Sequence, residues 1–209
     1  MRSYVIFAVL VFAAAFTAFS QQAESASQQK TDAVDTSANA APQNGYARPD
    51  AKTRRNRYIN SLIGPMALGK NVAWAGIGTW RNSPEEWGDR WEGFGRRVAS
   101  NFGKNTIKQT TIYGLDEAFK LDSHYYRSEK KDFGSKLANA LISPITARDK
   151  NGNRVIGIPR IAGTYTSSIV AAETWYPARY NWKDGMKSGT ISLGMNAAFN
   201  LVKEFIWKK

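Results

Sequence analysis

The chain has 209 residues, 29 Lys and Arg against 17 Asp and Glu, a formal net charge of +12, a single His and no Cys. This composition excludes disulfides, thiolate metal sites and a lipid-modified Cys, and the lone His excludes a zinc site built on several imidazoles. So basic a chain calls for an anionic partner, either a membrane surface or nucleic acid.

Met1, Arg2 and Ser3 precede an almost wholly apolar, Ala-rich run over residues 4–19, and Ala18 and Ser20 make a small-x-small site before Gln21. This predicts a secretory signal peptide over 1–20, and so an exported protein of the periplasm or an envelope membrane. An uncleaved amino-terminal anchor is the alternative. Residues 21–57 are rich in Gln, Ala, Ser, Asp, Thr and Asn, with Tyr46 their only aromatic residue. They predict a disordered linker ending in the basic cluster Arg54, Arg55, Arg57. Residues 58–209 have the size of a single helical domain.

Within that domain, residues 62–80 form an apolar, Gly-rich run interrupted by Pro65 and Lys70. Asn82-Ser83-Pro84-Glu85-Glu86-Trp87 predicts a helix start, with Ser83 as cap, Pro84 at the first position and Glu86 completing a capping box. Trp87, Trp91, Phe94, Val98 and Phe102 then recur at helical spacing and predict a core-facing stripe, with Arg90, Arg96 and Arg97 beside it. The period continues through Ile107, Thr111, Leu115 and Phe119, which predicts one long helix or two joined near residues 101–105, ending near Asp122 and Ser123. Asp116 and Glu117, late in this helix, are expected to face solvent or Lys120.

A further helix over 132–143 presents Phe133, Leu137 and Leu141 and stops at Pro144. Asp149-Lys150-Asn151-Gly152-Asn153, between apolar flanks, predicts a small β-hairpin near 145–158. Residues 161–176 and 185–207 are the last two helical segments. The charge-free parts span about 22 to 24 Å, short of the ~30 Å hydrocarbon layer. They therefore predict helices lying in or dipping into an interface rather than crossing it.

Small residues recur at every fourth position: Gly95, Ala99 and Gly103; Thr110, Gly114 and Ala118; Gly163, Ser167 and Ala171; Thr190, Gly194 and Ala198, with Gly189 beside the last row. Each row makes a smooth stripe suited to close helix packing, within the chain or against a second copy. Asn196 and Asn200, four apart, predict interhelical hydrogen bonds. Trp80, Trp87, Trp91, Trp175, Tyr176, Trp182 and Trp207, together with the excess of Lys and Arg, suit an anionic headgroup layer or another envelope component. Nucleic acid is the weaker partner class, since no groove-reading motif is present and export removes the chain from it.

Catalytic signals are weak, and no cofactor or metal site is predicted. His124 lies in Asp122-Ser123-His124-Tyr125-Tyr126-Arg127 with no nucleophile-elbow sequence, and so reads as a polar or interface residue.

Pro84-Glu85-Glu86-Trp87-Gly88, Gly93-Phe94-Gly95-Arg96-Arg97, Tyr125-Tyr126-Arg127-Ser128, Trp175-Tyr176-Pro177 and the closing Gly194-Met195-Asn196-Ala197-Ala198-Phe199-Asn200 with Lys203-Glu204-Phe205 together carry a resemblance. The chain resembles a group of uncharacterised bacterial proteins with signal peptides. The resemblance implies an exported, mainly helical domain and no activity, substrate or cofactor. It departs from that pattern at Ser123-His124, where a pair ending in Pro is expected.

The expected fold is thus mainly α, a compact bundle of amphipathic and Gly-rich helices with one hairpin. The expected role is a membrane-associated structural or binding protein of the envelope, without catalysis. The alternatives are a soluble periplasmic binding or scaffold domain, and a hydrolase of envelope polymers using Glu85, Glu86 or His124. A small outer-membrane barrel, with strands over 164–172 and 190–198, is disfavoured by the four-residue period.

Overall fold

Proline lacks the N–H that a helix interior needs, so the chain breaks at Gly64 and restarts at Pro65, giving α1 (Ala51–Ile63) and α2 (Pro65–Trp80). The computed structural model describes residues 46–130 and 132–206. The predicted signal peptide, the linker up to residue 45 and Trp207 lie outside these described residues. A 3-10 turn (Glu85–Trp87) leads to the long α3 (Trp91–Phe119), then α4 (Phe133–Ile142) and a second 3-10 turn (Ser143–Ile145). Strands β1 (Thr146–Arg148) and β2 (Arg154–Ile156) form the antiparallel hairpin, pairing Thr146 with Ile156 and Arg148 with Arg154. Helices α5 (Ile158–Thr174) and α6 (Trp182–Phe205) complete a mainly helical bundle of six α-helices among the described residues.

Helix α5 is the axis of the bundle, packed on α3 along one side and α6 along another, while α2 lies on α3 and α4 on α6. Its buried face carries Gly163, Thr164, Ser167, Ser168, Ala171 and Ala172, all small. At Gly163 an added Cβ would lie 2.7 Å from the carbonyl oxygen of Lys108 on α3. At Gly185 it would lie 2.6 Å from Cα of Ile169, and at Gly189 2.6 Å from the Tyr165 ring. Backbones therefore meet directly on both sides of α5, at Gly163 of the predicted third row and at Gly185, while Gly189 makes room for the Tyr165 ring.

The other rows have different fates. Gly114 is buried, and Gly103 meets the Trp175 ring at 3.6 Å. Gly95 and Gly194 have nothing within 4 Å of an added Cβ, and Ala99, Ala118 and Ala198 are exposed, so no other element of the bundle fills these stripes. Thr110 takes part in a hydrogen bond with the Tyr58 hydroxyl at 2.9 Å.

Several expectations are corrected. Ser83 caps nothing: Gly88 adopts φ 73°, the chain turns there, and α3 starts at Trp91 behind Arg90. The Trp87 to Phe102 stripe is not core. Trp91 is 84% exposed, and α3 instead buries Gly93, Arg97 and Ser100. The reason is Arg97, whose guanidinium donates to the carbonyls of Ser83 (2.9 Å), Pro84 (2.7 Å) and Gly88 (2.6 Å) and so ties the loop onto the face opposite the aromatics. Gly93 permits that approach, since a Cβ there would stand 2.3 Å from the Gly88 carbonyl.

The linker boundary also moves, because residues 46–57 are ordered by contacts far along the chain. Arg54 pairs with Glu117 at 2.6 Å, and Arg48 donates to the Asp116 carbonyl at 3.0 Å. Residues 164–172 and 190–198 are helical, which removes the barrel alternative.

Gly163→Ala is expected to force α3 from α5 and to cost about 1–3 kcal/mol. Gly194→Ala, with open space around it, is expected to be neutral or to stabilise by up to about 1 kcal/mol through helix propensity. Thermal denaturation of both variants followed by circular dichroism checks the contrast.

Candidate functional site

Lys120 takes the left-handed conformation at φ 54°, ending α3 and sending residues 121–128 back beneath the hairpin. Asp122 and Arg148 exchange both backbone hydrogen bonds, at 2.8 and 2.9 Å, and so fix the loop to β1. The buried Asp122 carboxylate then collects donors. The hydroxyls of Tyr46 and Tyr126 donate to Oδ2 at 2.8 and 2.6 Å, the His124 N–H donates to Oδ1 at 2.8 Å, and Arg57 stands 3.6 Å away. These donors hold Asp122 below the usual carboxylate range although burial acts the other way. Burial and the neighbouring carboxylate together raise the Tyr46 hydroxyl. The Arg148 guanidinium lies over the rings of Tyr126 and Tyr46, 4.7 and 5.2 Å from their centroids.

A second carboxylate anchors the far side. Glu204 of α6 accepts from the Tyr125 hydroxyl at 2.7 Å and the Ser128 N–H at 2.7 Å. Asn139 donates to the Tyr126 carbonyl at 3.0 Å, and Arg154 donates to Asn139 Oδ1. Arg160 of α5 reaches the carbonyls of Ser123 and Ser143. Asp116 accepts from Ser123 Oγ at 2.8 Å and its N–H at 3.1 Å, and burial raises its pKa to about 6. It thus turns inward to the loop, and Glu117 pairs with Arg48 and Arg54, instead of either facing solvent or Lys120.

The result is a cleft of about 650 Å³, lined by Tyr46, Arg57, His124, Tyr126, Arg148 and Glu204 among others. It offers the cations Arg57, Lys136 and Arg148, while its buried carboxylates and the tyrosine hydroxyls around them already engage one another.

Of the residues singled out in sequence, His124 lines this cleft, with its ring edge-on to Tyr126 at 5.3 Å. One face of His124 is exposed, but burial of the remainder and the cations Arg57, Lys203 and Arg160 outweigh Asp122 and lower it to about 4. Its ring has no side-chain hydrogen bond among the described residues, so no base-and-orienter pair is assembled. Asn200 makes the expected interhelical contact, donating to the Ala140 carbonyl at 3.4 Å. Asn196 lines a different cavity. Trp87 packs on Tyr176 at 5.2 Å, and Trp91 is exposed beside Phe94. Glu85 and Glu86 are exposed and face Arg179 at 3.9 and 2.9 Å, remote from the cleft.

Sequence reasoning missed Tyr46, Arg57, Asp122 and Arg148, whose signal was only a local excess of Tyr and Arg. Among the described residues no cluster of His, Asp and Glu is arranged to hold a metal. No protein family, curated protein or solved structure matches the chain.

Asp116 has a folded pKa of about 6 against 3.8 unfolded, so its contribution to stability is fully present below 3.8 and is lost as pH rises through 6. Asp116→Asn removes that slope. The stability of Asp116→Asn relative to the natural protein is therefore expected to rise across this window in urea unfolding, and the His124 contribution, common to both, cancels. A difference independent of pH would contradict the placement of Asp116.

Proposed function

We propose that this is an exported envelope protein that lies on an anionic membrane through α2 and the first half of α3, in a structural or binding role. The observation that carries this is an inverted distribution of polarity. The buried side chains are mostly Ala, Ser, Thr and Asn with Arg97, Asp122 and Glu204, while Leu68, Val72, Ile77, Trp80, Trp91 and Phe102 are exposed.

On α2, an outward face of Leu68, Gly69, Val72, Ala73, Gly76, Ile77 and Trp80 carries no charge, and Asn71 and Ala75 point inward. On α3, Trp91, Gly95, Val98 and Phe102 recur at four, seven and eleven positions. Of these, Gly95, Val98 and Phe102 line an apolar groove of about 440 Å³ with Leu68 and Val72, and Trp91 is exposed on the same face of α3. An apolar patch of this kind on a chain of charge +12 fits an anionic lipid interface, where Trp settles and Lys and Arg meet headgroups. No described helix is long and apolar enough to cross a membrane, which agrees with an interfacial placement. The cleft at residues 121–128 serves binding in this reading.

The test is flotation with vesicles. The protein is expected to float with phosphatidylglycerol vesicles and to stay bound after a high-salt wash, with a blue shift of Trp emission, and to bind phosphatidylcholine vesicles weakly. Val72→Glu and Trp91→Glu, both on exposed positions, are expected to abolish retention without changing the circular dichroism. Failure of the natural protein to float, or equal flotation of both variants, overturns the proposal.

A further inference from the structure

Between α2, α3, α5 and α6 lies another cavity, of about 450 Å³, whose lining includes none of residues 121–128. Its depth is polar. Thr164 and Ser168 are 1% and 3% exposed, and their hydroxyl oxygens, with Nδ2 of Asn71, are sealed from solvent without a hydrogen-bond partner among the described residues. Buried polar atoms are normally satisfied, so three orphans lining one cavity mark a place for a ligand.

Lys70, Lys104 and Lys108 line the same space, and no Asp or Glu does. Lys104 stands 3.3 Å from Ser188 Oγ, and Lys70 lies 4.9 Å from the Phe199 ring centroid. Lys108 has neither ion pair nor side-chain hydrogen bond among the described residues. Burial first, then the like charges of Arg160, Lys70 and Lys104, lower it to about 8. A desolvated cation surrounded by cations lacks the counter-charge that ordinarily accompanies burial. Toward the mouth the walls become apolar, with Met66 and Ile191 exposed there.

We infer that this cavity binds a phosphate-bearing anion, held by Lys108, Lys70 and Lys104 and by the hydroxyls of Thr164 and Ser168. A phosphate monoester brings close to two negative charges and three acceptor oxygens, which match several cations and donors where a single carboxylate matches fewer. The apolar mouth admits the chains of an amphiphile, so the phosphate can be free or the headgroup of an anionic lipid. The site stands on its own lining and does not require the protein to rest on a membrane.

The test is titration calorimetry of the purified protein with inorganic phosphate and, separately, with dihexanoylphosphatidic acid, with dihexanoylphosphatidylcholine as the neutral-headgroup control. Saturable binding is expected, and phosphate is expected to raise the melting temperature. Lys108→Met keeps the length of the side chain and removes its charge. It is expected to weaken binding roughly tenfold to a hundredfold, whereas Lys183→Met, at an exposed position, leaves it unchanged. Thr164→Val removes one hydroxyl and is expected to weaken binding in the same sense, so the test holds even if Lys108→Met misfolds.

Tighter binding of the lipid analogue than of phosphate assigns the site to a headgroup, and equal or weaker binding assigns it to the free anion. Absence of saturable binding by both anions, or affinities of Lys108→Met and Thr164→Val that both equal that of the natural protein, overturns the inference.

Discussion

Direct backbone contact along α5 is the constraint on which the bundle depends. Gly163 brings the α3 backbone against it, Gly185 brings the α6 backbone against it, and Gly189 admits the Tyr165 ring between the two. Where the backbones touch there is no room for a large side chain, so the buried face of α5 carries Gly, Ala, Ser and Thr, a ring such as Tyr165 fits only opposite a glycine, and many of the larger apolar side chains lie on the outside. Packing distance thus determines the polarity of the surface. The hydrophobic effect contributes less to such a core than area burial does in an ordinary domain, and dispersion and hydrogen bonding contribute more.

A polar interior must also satisfy its own groups, and it does so unevenly. Around residues 121–128 the satisfaction is dense: Asp122 and Glu204 each gather donors from distant segments, and Arg160 is spent on carbonyls. Between α2 and α6 it is incomplete, with three atoms sealed from solvent and one cation uncompensated. The two regions share α5 and α3 but differ in electrostatic character. One is a finished network with a cleft at its edge, and the other is open to an incoming charge.

Some local features of this fold were legible in the sequence, though the Ser83 cap was not among them and the capping box at Asn181 and Asp184 was not read. Asn151-Gly152 marked the hairpin turn, Asp132 caps α4 by accepting from the Ser135 N–H at 2.7 Å, and the Gly163 row marked the α5 contact. The inward face of α3 was not legible. Its aromatic stripe looked like core because a hydrophobic period says which residues share a face, not which face has a neighbour, and here the neighbour is drawn in by Arg97. Residues 46–57 carry no period at all. Their order comes from pairs such as Tyr46 with Asp122 and Arg54 with Glu117, separated by 76 and 63 residues, which no local pattern announces. For the same reason His124 could be singled out within its own string, while Tyr46, Arg57 and Arg148 around it could not.

The corner held by Arg97 differs from the Asp122 and Glu204 clusters in the chemistry of its acceptors. They are peptide carbonyls, which take up no proton under the conditions that neutralise carboxylates. Acidification removes the charge that Tyr46, Tyr126 and Arg57 rely on at Asp122, yet leaves the Ser83, Pro84 and Gly88 oxygens as they were. The Arg97 corner and the Asp122 cluster therefore differ in their resistance to acid. The α2–α3 corner keeps its Arg97 contacts at a pH where the Asp122 cluster loses the charge at its centre.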